Sequence, residues 1–335
     1  MSSKVRWGVL STAQIGTKQV LPAMRKGERV ELLGLASRDE AKAREAADAL
    51  GIPRAYGSYE ALLADPDIEA VYNPLPNHLH VPLTIQALEA GKHVLCEKPI
   101  ALSAGEAETL VEASKRTGRL VAEAFMVRHH PQWRRARDVV REGRLGEVKA
   151  IHTLFSYYNA DPGNIRNQAD IGGGGLYDIG CYAISTARFL FGAEPSRVVS
   201  AFDFDPAMGT DRMASGLAEF PGHRHLAFTC STQLVPAQRV EVLGTKGRLT
   251  VEIPFNAPND RPTRIAVDDG RDHFGSGREV IEIPTVDQYT LQGDAFSAAV
   301  RGEAPLEWGI EDAVLNMRVI DAFFRSGRTG GWETV

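Results

Sequence analysis

A run of four glycines, Gly172–Gly175, opens onto Asp178 and, four positions later, Tyr182. Residues at i and i+4 share one face of a helix, so this spacing brings a carboxylate and a phenol out together. The glycines let the start of that helix approach a ligand with no Cβ in the way. A phenol gives or takes a proton, although its ordinary pKa of about 10 calls for help near neutrality. A carboxylate accepts hydrogen bonds from hydroxyl groups. A glycine turn with a buried tyrosine and a helix-start acid would carry the same residues without chemistry. A third group stands far away in the chain: in "CEKPI", Cys96 to Ile100, Lys98 lies between Glu97 and Pro99. Lysine is rarely buried without a task, and Pro99 keeps Lys98 out of helical conformation. A surface Glu–Lys pair is the plainer alternative.

The elements that must position these groups change character part-way along the chain. "VRWGVL" (Val5 to Leu10), "VELLGLASR" (Val30 to Arg38), "EAVYNPLP", "KHVLCEKP" and "LVAEAFMV" read as strands, and the segments between them have helical spacing. Strand and helix in alternation with short connections indicate parallel βαβ units in a doubly wound sheet. Beyond about Arg128 strands dominate: "VKAIHTLFSYY", "RVVSAFDFD", "RMASGLAEF", "HRHLAFTCST", "QRVEVLGT", "GRLTVEI" and "EVIEIP". Their alternation of apolar and polar residues fits an antiparallel sheet with one covered face. "FNAPNDRPTRIAVDDGRDHFGSG" reads as a loop-rich excursion, and helices near Gln288–Arg301 and Glu311–Ser326 close the chain. The expected division is residues 1–127 as a nucleotide-binding domain and 128–335 as a domain for substrate and self-association, with the last helices free to pack back on the first domain.

The first strand runs into "GVLSTAQIG", where a dinucleotide fold needs a tight turn delivering a pyrophosphate to helix N–H groups. The glycine fingerprint appears here as Ser11-x-Ala13-x-x-Gly16, so Ser11, Thr12, Ala13, Gln14, Ile15 and Gly16 form the candidate turn. About 20 residues further on, where an NAD site places an acid for the ribose diol, the chain has Ser37 and Arg38. A hydroxyl and a guanidinium suit a 2′-phosphate, which points to NADP. Asp39 follows immediately and keeps NAD open. Two further loops lie at carboxyl ends of strands, where such sheets bind ligands. "NPLPNHLH" offers Pro74, Leu75, Asn77 and His80 as a rail beside the cofactor, and "CEKPI" offers Glu97 and Lys98.

Composition narrows the function classes. The 335 residues carry 24% charged side chains and a net charge of −5, which gives no electrostatic reason to expect nucleic acid or an anionic membrane as partner. No stretch reaches the ~18 uninterrupted apolar residues of a membrane span. The cysteines, Cys96, Cys181 and Cys230, stand far apart and point to a reducing compartment, hence the cytoplasm. Nine histidines include no set with convincing metal-ligand spacing.

"EKP" after the fourth strand, together with "GGGGLYDIGCY", resembles the glucose–fructose oxidoreductase, inositol dehydrogenase and rhizopine-catabolism (Gfo/Idh/MocA) family, over about Arg6 to Arg325. The resemblance implies an N-terminal Rossmann domain and a C-terminal α+β domain with a large, open, mainly antiparallel sheet that often builds a homodimer or a dimer of dimers. It implies a catalytic trio, here Lys98, Asp178 and Tyr182. Many members end the trio with His. The Tyr is similar to the branch containing glucose–fructose oxidoreductase, dimeric dihydrodiol dehydrogenases and bacterial NADP-dependent D-xylose dehydrogenases. On that reading Tyr182 is the acid/base, the Lys98 ammonium favours its phenolate, and Asp178 orients a sugar. Asn164 and Arg166, in the loop leading to the glycines, and the aromatics Tyr158 and Tyr289 are candidate substrate contacts. The expected activity is oxidation of a cyclic sugar or polyol by NADP, most simply an aldose at its anomeric carbon to give a lactone. A keto-sugar reductase or a trans-dihydrodiol dehydrogenase would use the same trio. A non-catalytic NADP-sensing regulator is the alternative of another class, and the intact trio argues against it.

Overall fold

The computed structural model describes residues 3–335. The chain separates into two compact units, one made of the residues up to Met126 with Asp287–Met317, the other of Val127–Val286 with Arg318–Val335.

Six strands build the first unit: β1 (Val5–Leu10), β2 (Val30–Ala36), β3 (Arg54–Tyr56), β4 (Ala70–Asn73), β5 (His93–Cys96) and β6 (Val121–Glu123). They pair in the order β3-β2-β1-β4-β5-β6, all parallel. This is the doubly wound order whose chain reversal lies between β1 and β4. Trp7, Val9, Leu35, Tyr72 and Leu95 are buried in one core cluster, as expected of strands covered on both faces. The helices are closed by local chemistry. Asp39 accepts from Ala41 N and Lys42 N ahead of Glu40–Leu50, and Gly51 ends that helix at φ 63°. Ser103 accepts from Glu106 N ahead of Ala104–Thr117, and Gly118 ends it at φ 67°. These are the side-chain N-cap and left-handed glycine stop.

The helix Gln288–Val300 joins this unit through side-chain hydrogen bonds. Trp7 Nε1 donates to Ser297 Oγ at 3.1 Å, Asp294 accepts from the backbone N–H of Glu28 and Arg29, and Thr290 Oγ1 donates to Ala23 O.

Nine strands build the second unit: β7 (Val148–Tyr158), β8 (Arg197–Phe204), β9 (Asp211–Phe220), β10 (Arg224–Ser231), β11 (Gln233–Gly244), β12 (Arg248–Val251), β13 (Thr263–Asp268), β14 (Arg278–Ile283) and β15 (Glu333–Thr334). Their order is β14-β13-β12-β11-β7-β10-β9-β8-β15. The β7–β10 pair is parallel and the remaining neighbours are antiparallel. The helices Pro131–Arg141 and Cys181–Phe191 cover one face. On the other face lie His152, Leu154, His225 and Arg239, exposed beside the buried Ile151, Phe155, Leu226 and Val240.

β13 lies inside the segment that the sequence presents as loop. Pro262 before it and "DDG" after it are turn signals, and they mask a six-residue strand whose Ile265 and Val267 are buried. β3 and β15 were not foreseen either; three and two residues are too short for a periodic pattern to register.

Candidate active site

In the first unit, β1 runs into Ser11, whose φ of 131° is a backbone conformation that L-residues rarely adopt. Its Oγ accepts the Ala13 N–H at 3.0 Å, which stiffens the turn. Thr12, Ala13, Gln14 and Ile15 all keep some exposure, and Ile15 packs in part against the core. A π-helical turn, Gly16–Val20, leads into Leu21–Met24. Pro22, with no N–H to give, accounts for the widened turn ahead of it.

At the end of β2, Ser37 is nearly buried and its Oγ accepts the Asp39 N–H. Arg38 is exposed and hydrogen-bonds the Tyr59 phenol. The Asp39 Oδ1 is taken by the two N–H groups of the following helix, at 3.0 and 3.2 Å. Asp39 therefore caps the helix through Oδ1, which leaves Oδ2 outside the cap and NAD still open.

The loop bearing Lys98 is tethered from three sides. Tyr72, from β4, donates to Glu97 Oε1 at 2.6 Å. Glu123, from β6, accepts the Ile100 N–H at 2.8 Å. His80 meets Pro99 O through Nδ1 and Leu75 O through Nε2, both at 2.7 Å. Glu97 Oε2 accepts the Lys98 N–H, and the Lys98–Pro99 peptide is cis. His80 therefore differs from its expected role. Its ring is 1% exposed and both nitrogens meet backbone carbonyls, so it ties two loops together instead of reaching a cofactor. Burial pushes its pKa down to about 4. Pro74 and Leu75 are buried, and Asn77 is half-buried at the start of the short turn Asn77–Leu79. Tyr289, expected to line the substrate, packs against the core of the first unit near Glu97.

The second unit gathers the other groups. Asp178 lies in a π-helical turn, Leu176–Gly180, and Tyr182 in the first turn of the helix Cys181–Phe191 that continues it. π turns recur at functional sites because the extra residue per turn re-aims side chains. Tyr182 is 6% exposed, with its ring 5.9 Å from Phe155 and 5.4 Å from Phe255. Asp178 Oδ2 accepts from Tyr157 Oη at 2.5 Å and from Arg166 Nε at 3.0 Å. Asn164 is occupied locally, its Oδ1 accepting the Arg166 N–H. Asn167, 3% exposed, closes the loop by donating to Asn159 O and Asp161 O.

Two corrections concern this cluster. Tyr158, expected to line the substrate, is 69% exposed. Successive strand residues face opposite sides, and it is the neighbouring Tyr157 that reaches Asp178. The buried Phe155, two positions earlier on the same strand, marks that face and was the available signal. The second correction concerns the glycines. A Cβ on Gly173 would stand 2.6 Å from Arg166 O, and one on Gly174, at φ 124°, would stand 1.9 Å from Asp211 Oδ1. Gly173 and Gly174 are thus required by the protein's own backbone and by a buried carboxylate, a reason the sequence reading did not contain. Asp211 accepts the Leu176 N–H at 2.7 Å and also the Gly175 N–H, and burial raises its pKa to about 7. It serves as the cap of the turn that carries Asp178. Nothing local in the sequence links it to that turn.

Among the described residues, no group of three or more His, Cys, Asp or Glu stands together to hold a metal ion. No helix among them is long and apolar enough to cross a membrane.

Residues 5–125 match the model of an oxidoreductase family with an NAD-binding Rossmann fold, GFO/IDH/MocA, and residues 133–250 match the C-terminal domain of the same family. The chain belongs to the GFO/IDH/MocA oxidoreductase family. It is 40% identical to D-xylose 1-dehydrogenase (NADP(+)) 2 of Haloferax volcanii, over 97% of this chain and 98% of that one. It is 36% identical to dTDP-3,4-didehydro-2,6-dideoxy-α-D-glucose 3-reductase of Streptomyces violaceoruber, over 89% and 85%. Its fold is similar to that of a 3-ketoreductase from Actinomadura kijaniata in complex with NADP and TDP-benzene, with a TM-score of 0.89, 32% identity and coverage of 97% and 98%. Like the family, this GFO/IDH/MocA member is an oxidoreductase with an NAD(P)-binding Rossmann domain.

Proposed function

We propose that this GFO/IDH/MocA protein is an NADP-dependent dehydrogenase of a cyclic sugar, acting on an aldose at its anomeric carbon to give a lactone. The observation that carries this reading is the Tyr157–Asp178–Arg166 cluster one turn from Tyr182: a carboxylate fixed by two donors beside a phenol. Such a pair suits a substrate with several hydroxyl groups, one of which must lose its proton. The likeness to D-xylose 1-dehydrogenase supports an aldose.

Nicotinamide, when bound, supplies the hydride acceptor. The residues of the first unit fit that group. The tight Ser11–Gly16 turn opens its backbone N–H groups to a pyrophosphate. Ser37 and Arg38 suit a 2′-phosphate, and the likeness to an NADP(+)-named D-xylose dehydrogenase supports that reading. Thr12, Ala13, Gln14, Asn77 and Glu97 complete the set we assign to the cofactor. In the reaction, Tyr182 takes the proton of the substrate hydroxyl, and Asp178 and Arg166 hold neighbouring hydroxyls; Lys98 is retained as the third member of the trio that the family resemblance implies. Running in reverse, the same phenol donates the proton, and the likeness to 3-ketoreductases supports a keto-sugar reductase as the second reading.

We also propose a cytoplasmic protein, in keeping with three buried, free cysteines, and a homodimer or dimer of dimers formed through the exposed face of the nine-stranded sheet. The test is a panel of aldoses, polyols, keto-sugars and dihydrodiols assayed with NADP and with NAD. Turnover of an aldose with NADP is expected. Cofactor binding without turnover of any substrate would overturn the enzyme reading in favour of a regulator.

A further inference from the structure

Arg166 reaches Asp178 through Nε alone. An arginine and a carboxylate frequently close into a parallel two-bond fork; here a second donor shares the carboxylate oxygen that Arg166 reaches. Tyr157 is that donor. Its strand carries it to the covered face of the sheet, and its hydroxyl donates to the same oxygen, Oδ2, at 2.5 Å.

From this geometry we infer that Tyr157 is a positioning residue for the reaction: its hydroxyl pins the Asp178 carboxylate in single-bond register with Arg166, which keeps it ionised and prevents it from closing on the guanidinium. The inference rests on the role proposed for Asp178. The charges around the cluster agree with it. Burial and the Asp178 anion raise the Tyr157 phenol, so Tyr157 stays protonated and acts as a donor. The Asp178 charge raises Arg166 in turn. The groups that face Asp178 include Tyr157 from β7, Arg166 from the preceding loop, Asp211 from β9 and the Cys230 thiol from β10, with Tyr182 beside Arg166. Asp211, when ionised, opposes the charge on Asp178. Tyr157 and Arg166 favour it, and removing one of these two donors leaves the carboxylate easier to protonate.

The experiment is a double-variant cycle of Tyr157→Phe and Asp178→Asn, each assayed with the sugar found active in the panel. Tyr157→Phe keeps the ring and removes one hydroxyl. Its kcat/KM is expected to fall roughly 10–100-fold, the range for a hydrogen bond to a charged group. The acid limb of its pH profile is expected to move to higher pH, with NADP affinity and thermal midpoint close to those of the parent. In the Asp178→Asn background the same change should have no further effect, because Tyr157 acts through that carboxylate. Equal losses in both backgrounds, or an unmoved acid limb, would overturn the role of Tyr157 and leave that of Asp178 standing. A fully active Asp178→Asn variant would overturn both.

Discussion

Tyr182 is held between Phe155 and Phe255 with its ring nearly buried, so removing its oxygen should leave the packing intact. If Tyr182 moves the proton, Tyr182→Phe should lower kcat by roughly 10²–10⁴. KM should change much less, because the loss falls on the transition state. Near-parental turnover in a folded variant that binds NADP would refute the assignment. Arg38 is exposed and partnered by the Tyr59 phenol, a position from which a charge-assisted bond to a phosphate adds to affinity. Arg38→Ala should therefore weaken NADP far more than NAD. Equal weakening of both, measured by fluorescence titration, would remove the 2′-phosphate from the reading.

The turn that carries Asp178 depends on an element distant in sequence. Asp211, at the start of β9, lies 2% exposed against the glycines and accepts the N–H groups of Gly175 and Leu176. Burial raises its carboxyl from the ordinary 3.8 to about 7. Between those two values the folded protein holds a proton there that the unfolded chain releases. The resulting contribution to stability is complete below about pH 4, is lost as pH rises to about 7, and is flat above. A shift of this size corresponds to, at most, on the order of 4 kcal/mol. Asp211→Asn has no such proton. The difference in urea midpoint between parent and variant should change between pH 5 and pH 8 and then level off. Parallel curves across that range would show that Asp211 does not titrate there.

At the scale of the molecule, the open question is what covers the second sheet. One face is packed by helices; the other exposes Leu154 on β7 among His152, His225 and Arg239. A sheet packs stably when both faces are covered by a further layer, so a nine-stranded sheet covered by helices on one face invites pairing with a second copy. Light scattering at micromolar concentration is expected to give a dimer or tetramer. A monomer would contradict the proposed assembly and return the sheet face to solvent.

Much of this protein was legible without coordinates because the rules involved are local. Alternation of buried strands and helices marked the parallel sheet, Ser11 and Ala13 announced the tight turn after its first strand, and Asp39 carried both of its readings, cap and ribose acid, on its face. Tertiary structure decided what depends on register and on distance along the chain. Tyr157 and Tyr158 are equivalent until the covered face of β7 is known, since a one-residue shift exchanges inside and outside. His80 looked like a ligand group until Pro99 O and Leu75 O were found at both of its nitrogens. Tyr289 was grouped with the substrate until Trp7, Asp294 and Thr290 tied its helix to the first unit. The glycine run announced itself in the sequence, but the neighbours that require Gly173 and Gly174, the Arg166 carbonyl and the Asp211 carboxylate, are contacts that only the folded chain makes.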